Sequence, residues 1–222
     1  MVPLADLVAN LTIYAEQPSN VAAITFDDGY ANFAEYALPL LEKYDLHATV
    51  FVPSAKVGSY NDWDEGSEDF VKMPLLGWED LRALPKRTVE IGSHGMTHRR
   101  LDAIPDDEAK QEVYESRRDL EEGTGRPVTL FAYPHGACPS RWCDRNGENP
   151  AKQYRAVCTT RWGRFNTAET VYALRRIGIW DSDSFEDFVD KMSGCYDWLA
   201  FKEGVGRFLR NAKRLGGAPG AS

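Results

Sequence analysis

The sequence predicts an α/β fold built on a parallel sheet, either open and doubly wound or closed into a barrel. Three observations predict it. Short apolar runs of strand length alternate with stretches of helical periodicity along the chain. The first of these runs, Val21-Ala-Ala-Ile-Thr-Phe26, is apolar almost throughout, as a strand covered on both faces must be. Polar clusters then follow the carboxyl ends of three runs, which is where both architectures place their sites.

Taken in order, Val21 to Phe26 is the first strand, ended by Asp27-Asp28-Gly29. A helix follows, with Ala34, Ala37, Leu38, Leu41 and Tyr44 at helical spacing. His47-Ala-Thr-Val-Phe-Val52 is the second strand, and Pro53 stops it. Residues 54–77 are rich in Gly, Ser, Asp and Asn, with Trp63 and Phe70 embedded. They exceed an ordinary connection and read as an insertion loop, a candidate lid or substrate loop, with a plain surface insertion as the competing reading. Residues 76–84 form a short helix, and Thr88-Val-Glu-Ile-Gly92 a third strand running into Ser93-His94. The next helix opens after Pro105 with Asp106-Asp107-Glu108, where the helix dipole favours acids. Ala109, Val113, Arg117 and Leu120 line one face of it, and Gly123 is expected to end it. Val128-Thr-Leu-Phe-Ala132 is the fourth strand, and the fifth and sixth fall within 154–160 and 174–179. Helices over 185–192 and 198–214 close the chain, with a flexible tail at 215–222.

A chain of 222 residues suits one domain over 1–222, and its 43% hydrophobic and 27% charged composition is that of a soluble globular protein. No apolar run approaches the roughly 20 residues that span a bilayer. The opening segment lacks a basic stretch followed by an apolar core, so a cytoplasmic location, or loss of a targeting segment, is expected. A formal net charge of −8 argues against nucleic acid as a partner and for a neutral or cationic substrate. Cys138, Cys143, Cys158 and Cys195 form no CxxC pair and read as buried or idle thiols, a Cys138–Cys143 link being open only to an exported chain.

The chemistry concentrates at three strand ends: Asp27 and Asp28, His94 and His98, and Tyr133-Pro-His-Gly136. His94 and His98 are four residues apart, so on one helical turn their imidazoles share a side. A carboxylate from a neighbouring strand completes a facial set of three ligands and leaves positions open for water and substrate. Two adjacent aspartates repel unless a cation is near. One can then bind the ion while the other takes a proton from water that the ion acidifies. Read without the histidines, Asp-Asp-Gly is only a polar turn capping a helix.

These residues resemble the polysaccharide deacetylases, carbohydrate esterase family 4, which share the NodB homology domain. Thr25-Phe-Asp-Asp-Gly29 is similar to the family's first motif, Ser93-His94-Gly-Met-Thr-His98 to the second, and Phe131-Ala-Tyr-Pro-His-Gly136 to the third, closest to the subgroup that reads FAYPYG. The resemblance spans roughly 21–179 in the family's order. It implies a distorted (β/α) barrel, usually of seven strands, and a hydrolase that removes N-acetyl groups from an amino sugar or saccharide. It makes Asp27 the general base and Asp28, His94 and His98 the metal ligands, with zinc the expected ion and cobalt, nickel or manganese as alternatives. The third motif, with Tyr133, Pro134 and Gly136, would wall the substrate groove and donate a backbone N–H at His135 to the oxyanion. Tyr30 and Tyr133 are candidates to stack on a sugar ring, with Trp63, Trp78, Trp162 and Trp180 behind them.

Two departures stand out. The family's third-motif arginine, which steadies the base, is replaced by Ala132, and Arg176 is the candidate to supply it from elsewhere. No histidine follows His135, so the family's late Leu-x-His acid has no counterpart, and His135 becomes the candidate acid. His47, at the opposite end of its strand, reads as structural. The alternatives carried are a small cyclic amide or ureide as substrate, a catalytically idle sugar-binding protein, and, against the α/β pattern, an iron oxygenase with the same ligand triad.

Overall fold

Six strands lie side by side in chain order in one sheet: β1 (Ile24–Phe26), β2 (Ala48–Val52), β3 (Val89–Ser93), β4 (Leu130–Ala132), β5 (Ala156–Trp162) and β6 (Leu174–Arg176). The computed structural model describes residues 1–14, 21–142, 149–200 and 202. The four neighbouring pairs from β1 to β5 are all parallel. A doubly wound sheet reverses its strand order at a switch point, and this one never does. Connections that always step the same way wind the wall of a barrel. The fold is accordingly a distorted (β/α) barrel, with six of the seven expected strands present among the described residues.

Within the span expected to be one domain, the chain falls into two compact units, one of Met1–Thr159 with Asn166–Leu174 and the other of Thr160–Phe165 with Arg175–Ser222. The first holds two apolar cores because side chains of a strand alternate between faces. Val50, Val52, Val89, Ile91, Phe131 and Val157 face outward and pack with Leu41, Leu81, Ala109, Val113 and Leu120 of the surrounding helices. Phe51, Leu130, Ala132, Ala156 and Cys158 face inward. All five residues of β2 are buried, which explains why its sequence is apolar without a break. The inner face is covered by α1 (Leu4–Tyr14), whose Leu4, Val8 and Leu11 are nearly inaccessible. The backbone N–H of Ala5, in the first turn of α1, lies near Glu90 of β3 and helps to offset the burial of its carboxylate.

The helix expected after β1 begins as a π-helical turn, Phe33–Ala37, before becoming α2 (Leu38–Lys43). Pro39 is the reason at hand: it has no N–H to donate back along the helix, so the hydrogen-bond register shifts beside it. The short helix α3 (Trp78–Ala83) and the long α4 (Asp106–Thr124) follow, both with acids in the first turn. Gly125, in the left-handed conformation at φ 63°, ends α4, which corrects the expectation for Gly123. Gly123 is inside the helix because a Cβ there would collide with the Trp78 indole. The buried face of α4 also differs, carrying Glu112 and Ser116 beside Ala109, Val113 and Leu120. Arg117 sits at its edge, with its guanidinium on the Gln153 carbonyl and 5.7 Å from the Tyr154 ring centre.

In the second unit, α5 (Phe185–Ser193) is capped by Ser184, whose hydroxyl accepts from the Asp187 N–H, and is closed by Gly194 at φ 92°. Lys191 is buried on the Asp183 carboxylate and the Gly178 carbonyl. Trp162 packs 6.2 Å from Tyr196, and Trp180 is exposed. Of the helix expected over 198–214, only residues 198–200 and 202 are described, all helical, and the tail at 215–222 lies outside the described residues. Cys143 is outside them too. No helix among the described residues is long and apolar enough to cross a membrane.

Candidate metal centre

Sheet register brings the strand ends together. Phe26 pairs with Val50, Val52 with Ser93, and Ser93 with Phe131, so Asp27, His94 and Tyr133 leave the sheet from neighbouring positions. The His94 N–H donates to the Val52 carbonyl at 2.9 Å, which carries the ladder one residue beyond β3.

Asp28, His94 and His98 converge so that their ligand atoms all lie within 4.8 Å of one another. The Asp28 Oδ1 is 3.3 Å from His94 Nε2 and 3.0 Å from His98 Nε2. His94 is fixed from behind, its Nδ1–H donating to the Ala132 carbonyl at 2.7 Å. With that proton committed, Nε2 is the nitrogen left to meet a cation. The slot where the family has an arginine thus contributes a carbonyl that orients a ligand histidine. Both rings are buried, His94 at 2% and His98 at 5% exposure.

The electrostatics suit a cation. Burial works to raise the Asp28 pKa, but hydrogen bonds from His94 and His98 outweigh it and hold the carboxyl well below the ordinary range. Burial opposes charge on His94, yet the Asp28 hydrogen bond and the charges of Asp27 and Asp28 push its pKa up. A space that favours a proton between the Asp28 carboxylate and the His94 imidazole favours a divalent cation for the same reason. An N₂O donor set with room for further ligands fits zinc and its neighbours in the first transition series.

Asp27 is outside this ligand set. It lines a cavity of about 240 Å³ with Phe26, Phe33, Tyr36 and Val50 and acts on His94 through its charge. Tyr30 is half-buried beside Asp28 and Asn61. Burial first, and then the charges of Asp28 and Asp64, push its pKa up to about 12. Tyr133 is fully buried and meets Phe131 edge-on at 5.3 Å, so no ring face is left for a sugar. Its stacking role is withdrawn. Pro134 is buried beside Gly95, and Gly136 is half-buried at φ 65°.

His135 projects into a groove of about 580 Å³ shared with Trp63, Thr97, His98 and Arg100. Its ring lies 4.6 Å from that of His98, and its N–H donates to the His98 carbonyl. Burial, then the positive charges of His98 and Arg100, lower its pKa below the usual imidazole value. The Trp63 ring also meets that of His98, 4.1 Å away and tilted by 36°. Among the described residues, Asp28, Asp45, His98 and His135 are the non-glycine positions with positive φ, and three of these four belong to the site.

The insertion loop is stitched to both ligand-bearing turns. The Leu76 N–H donates to the Gly29 carbonyl and the Ala31 N–H to the Pro74 carbonyl, while the Ser54 and Ala55 N–H groups donate to Gly95 and Met96. It is a fixed wall of the groove at these points. Arg176 is the last residue of β6, in the second unit, and its carbonyl accepts from the Gly163 N–H. His47 immediately precedes β2, at the end away from the ligands.

Comparison with known proteins follows the same lines. The polysaccharide deacetylase family model matches residues 14–153. A Bacillus subtilis (strain 168) protein provisionally named as the polysaccharide deacetylase YxkH is 25% identical over 157 residues, 70% of this chain and 50% of its own length. The chain thus spans about half the length of that relative. An uncharacterised 30.6 kDa protein of Geobacillus stearothermophilus is 30% identical over 112 residues, 50% of this chain and 36% of that one. Among solved structures, the Streptococcus pyogenes deacetylase PplD, in complex with acetate, superposes with a TM-score of 0.66 at 22% identity, covering 86% of this chain and 78% of its own. IcaB from Ammonifex degensii gives 0.67 at 19% identity, with 86% and 81% covered. At these identities the structural likenesses speak for the fold.

Proposed function

Because the chain belongs to the polysaccharide deacetylase family, we propose that it is a divalent-metal-dependent hydrolase that removes N-acetyl groups from an amino sugar or N-acetylated saccharide and releases acetate. The observation that carries this reading is the convergence of Asp28, His94 and His98, with Asp27 adjoining and outside the ligand set. Asp28, His94 and His98 would hold the ion, with zinc the expected occupant. When bound, such an ion supplies Lewis-acid polarisation of the amide carbonyl and acidifies water.

The chain's own groups do the rest. The Asp27 carboxylate takes a proton from the attacking water as its oxygen adds to the acetamide carbon. The backbone N–H of His135 meets the charge that develops on the carbonyl oxygen. As the C–N bond breaks, the His135 imidazolium gives its proton to the departing amine nitrogen. The proximity of His135 to His98 and its place in the groove support that role. The groove walls, including Trp63, Tyr30 and the turn of Pro134 and Gly136, orient the sugar.

The test is acetate release from a panel of N-acetylated sugars of increasing length, set beside small cyclic amides, before and after chelation and again after metal is restored. The proposal expects release from an N-acetylated saccharide, loss on chelation and recovery on metal addition. Activity indifferent to metal removal contradicts it, as does turnover confined to the cyclic amides.

A further inference from the structure

Glu112 lies in the second turn of α4, on a helix whose other acids face solvent or pair at the surface, and it is only 2% exposed. Its carboxylate makes contacts that all run to one short segment. Oε2 accepts the backbone N–H groups of Met96 at 2.7 Å and Thr97 at 2.9 Å. Oε1 accepts the Thr97 hydroxyl at 2.5 Å and the Arg99 guanidinium at 3.2 and 3.3 Å. That segment is the turn that follows His94 and carries His98. One helical turn further along α4, the Ser116 hydroxyl meets that of Ser93 at 2.7 Å, so the same helix braces the chain on both sides of His94.

The turn needs such bracing. Gly95 and His98 both have left-handed backbones, at φ 74° and 63°, and for a histidine that conformation is held only where its surroundings over-determine it. Two successive N–H groups aimed at one point would otherwise be stranded inside the protein. Gly95 also admits the carboxylate, since a Cβ there would stand 3.2 Å from Oε2. We infer that Glu112 is a positioning residue: by tying down Met96, Thr97 and Arg99 it fixes His98 with Nε2 toward Asp28, and so sets the affinity of the site for its metal ion. This rests on the metal-site reading above, and it concerns a residue some distance from the ligands in sequence that touches none of the ligand atoms.

Glu112→Gln keeps the volume and one accepting oxygen while removing the charge and the ion pair. The full chain and the variant, both stripped of metal, are titrated with zinc against a competing chelator. Loss of a partner that orients a metal ligand weakens binding by roughly 10- to 100-fold, and that range is expected here. The melting temperature of the metal-free chain should change little, and amide exchange at Met96 and Thr97 should speed up. Affinity within twofold of the parent overturns the inference even if the melting temperature falls, because it leaves Glu112 a merely structural contact. Should that variant not fold, Thr97→Val removes one bond to Oε1 and leaves Glu112 in place. It should weaken zinc several-fold, and an unchanged affinity overturns the inference equally. A parent chain that binds no zinc fails the metal-site reading and this inference with it, a result distinct from equal binding by parent and variant.

Discussion

At the scale of single residues, the two adjacent aspartates have been given different surroundings. Asp28 meets His94 and His98, while Asp27, outside that set, borders the cavity beside Phe26 and Phe33 and acts on His94 through its charge. The division of labour between ligand and base predicts separable effects. Asp27→Asn should retain its metal content and lose turnover by roughly 10²- to 10⁴-fold, the usual contribution of a positioned acid or base. His135→Gln should also lower turnover with metal content unchanged. Elemental analysis paired with acetate release checks both, and a His135 variant with full activity would remove it from the mechanism. The aspartates and the HxxxH pair were legible because spacing and strand ends point the same way. Glu112 was not: an acid on an acidic helix reads as solvated, and only its fold neighbours 15 and 16 residues away make it a buried clamp. Tyr133 failed in the reverse sense, since a tyrosine in a recognised motif looks available until the packing on Phe131 is seen.

At the scale of elements, the strands were legible from unbroken apolar runs, which only two-sided burial requires. The helix α1 is not among the elements expected from the sequence, although Leu4, Leu7, Val8 and Leu11 carry the helical interval, because so short a stripe gains its meaning only from the sheet face it covers. Gly123 and Gly125 could not be told apart from sequence, as one is chosen by contact with Trp78 and the other by a left-handed cap. Glu90 offers a test of how α1 is seated. Burial raises its pKa above 4.5, against the pull of Thr129, Thr49, the Ala5 N–H and Arg155. A raised folded-state pKa means that its contribution to stability is present in full below the unfolded value and is lost as pH rises through the folded one. Gln in that place does not titrate. The Tm of Glu90→Gln relative to the parent should therefore climb from pH 4 to pH 8, and a difference that stays flat or falls would show that the carboxylate is not penalised there.

At the scale of the whole molecule, the site exists because parallel register sets the ends of β1, β3 and β4 at one level, and because the 54–77 loop is bonded to both ligand-bearing turns. Family membership gives this arrangement its chemical meaning, and the simple strand order, which periodicity left open between two architectures, gives it the barrel frame. The proposed cation is held by Asp28 from one strand end and by His94 and His98, four residues apart, from another, ligands that only the fold brings together. Zinc titration of the metal-stripped chain, with Asp28→Ala and His98→Ala beside it, tests this most directly. One ion per parent chain, with tight binding lost in both variants, is the predicted result; a parent that takes up no ion, or variants that bind as tightly as the parent, would contradict it.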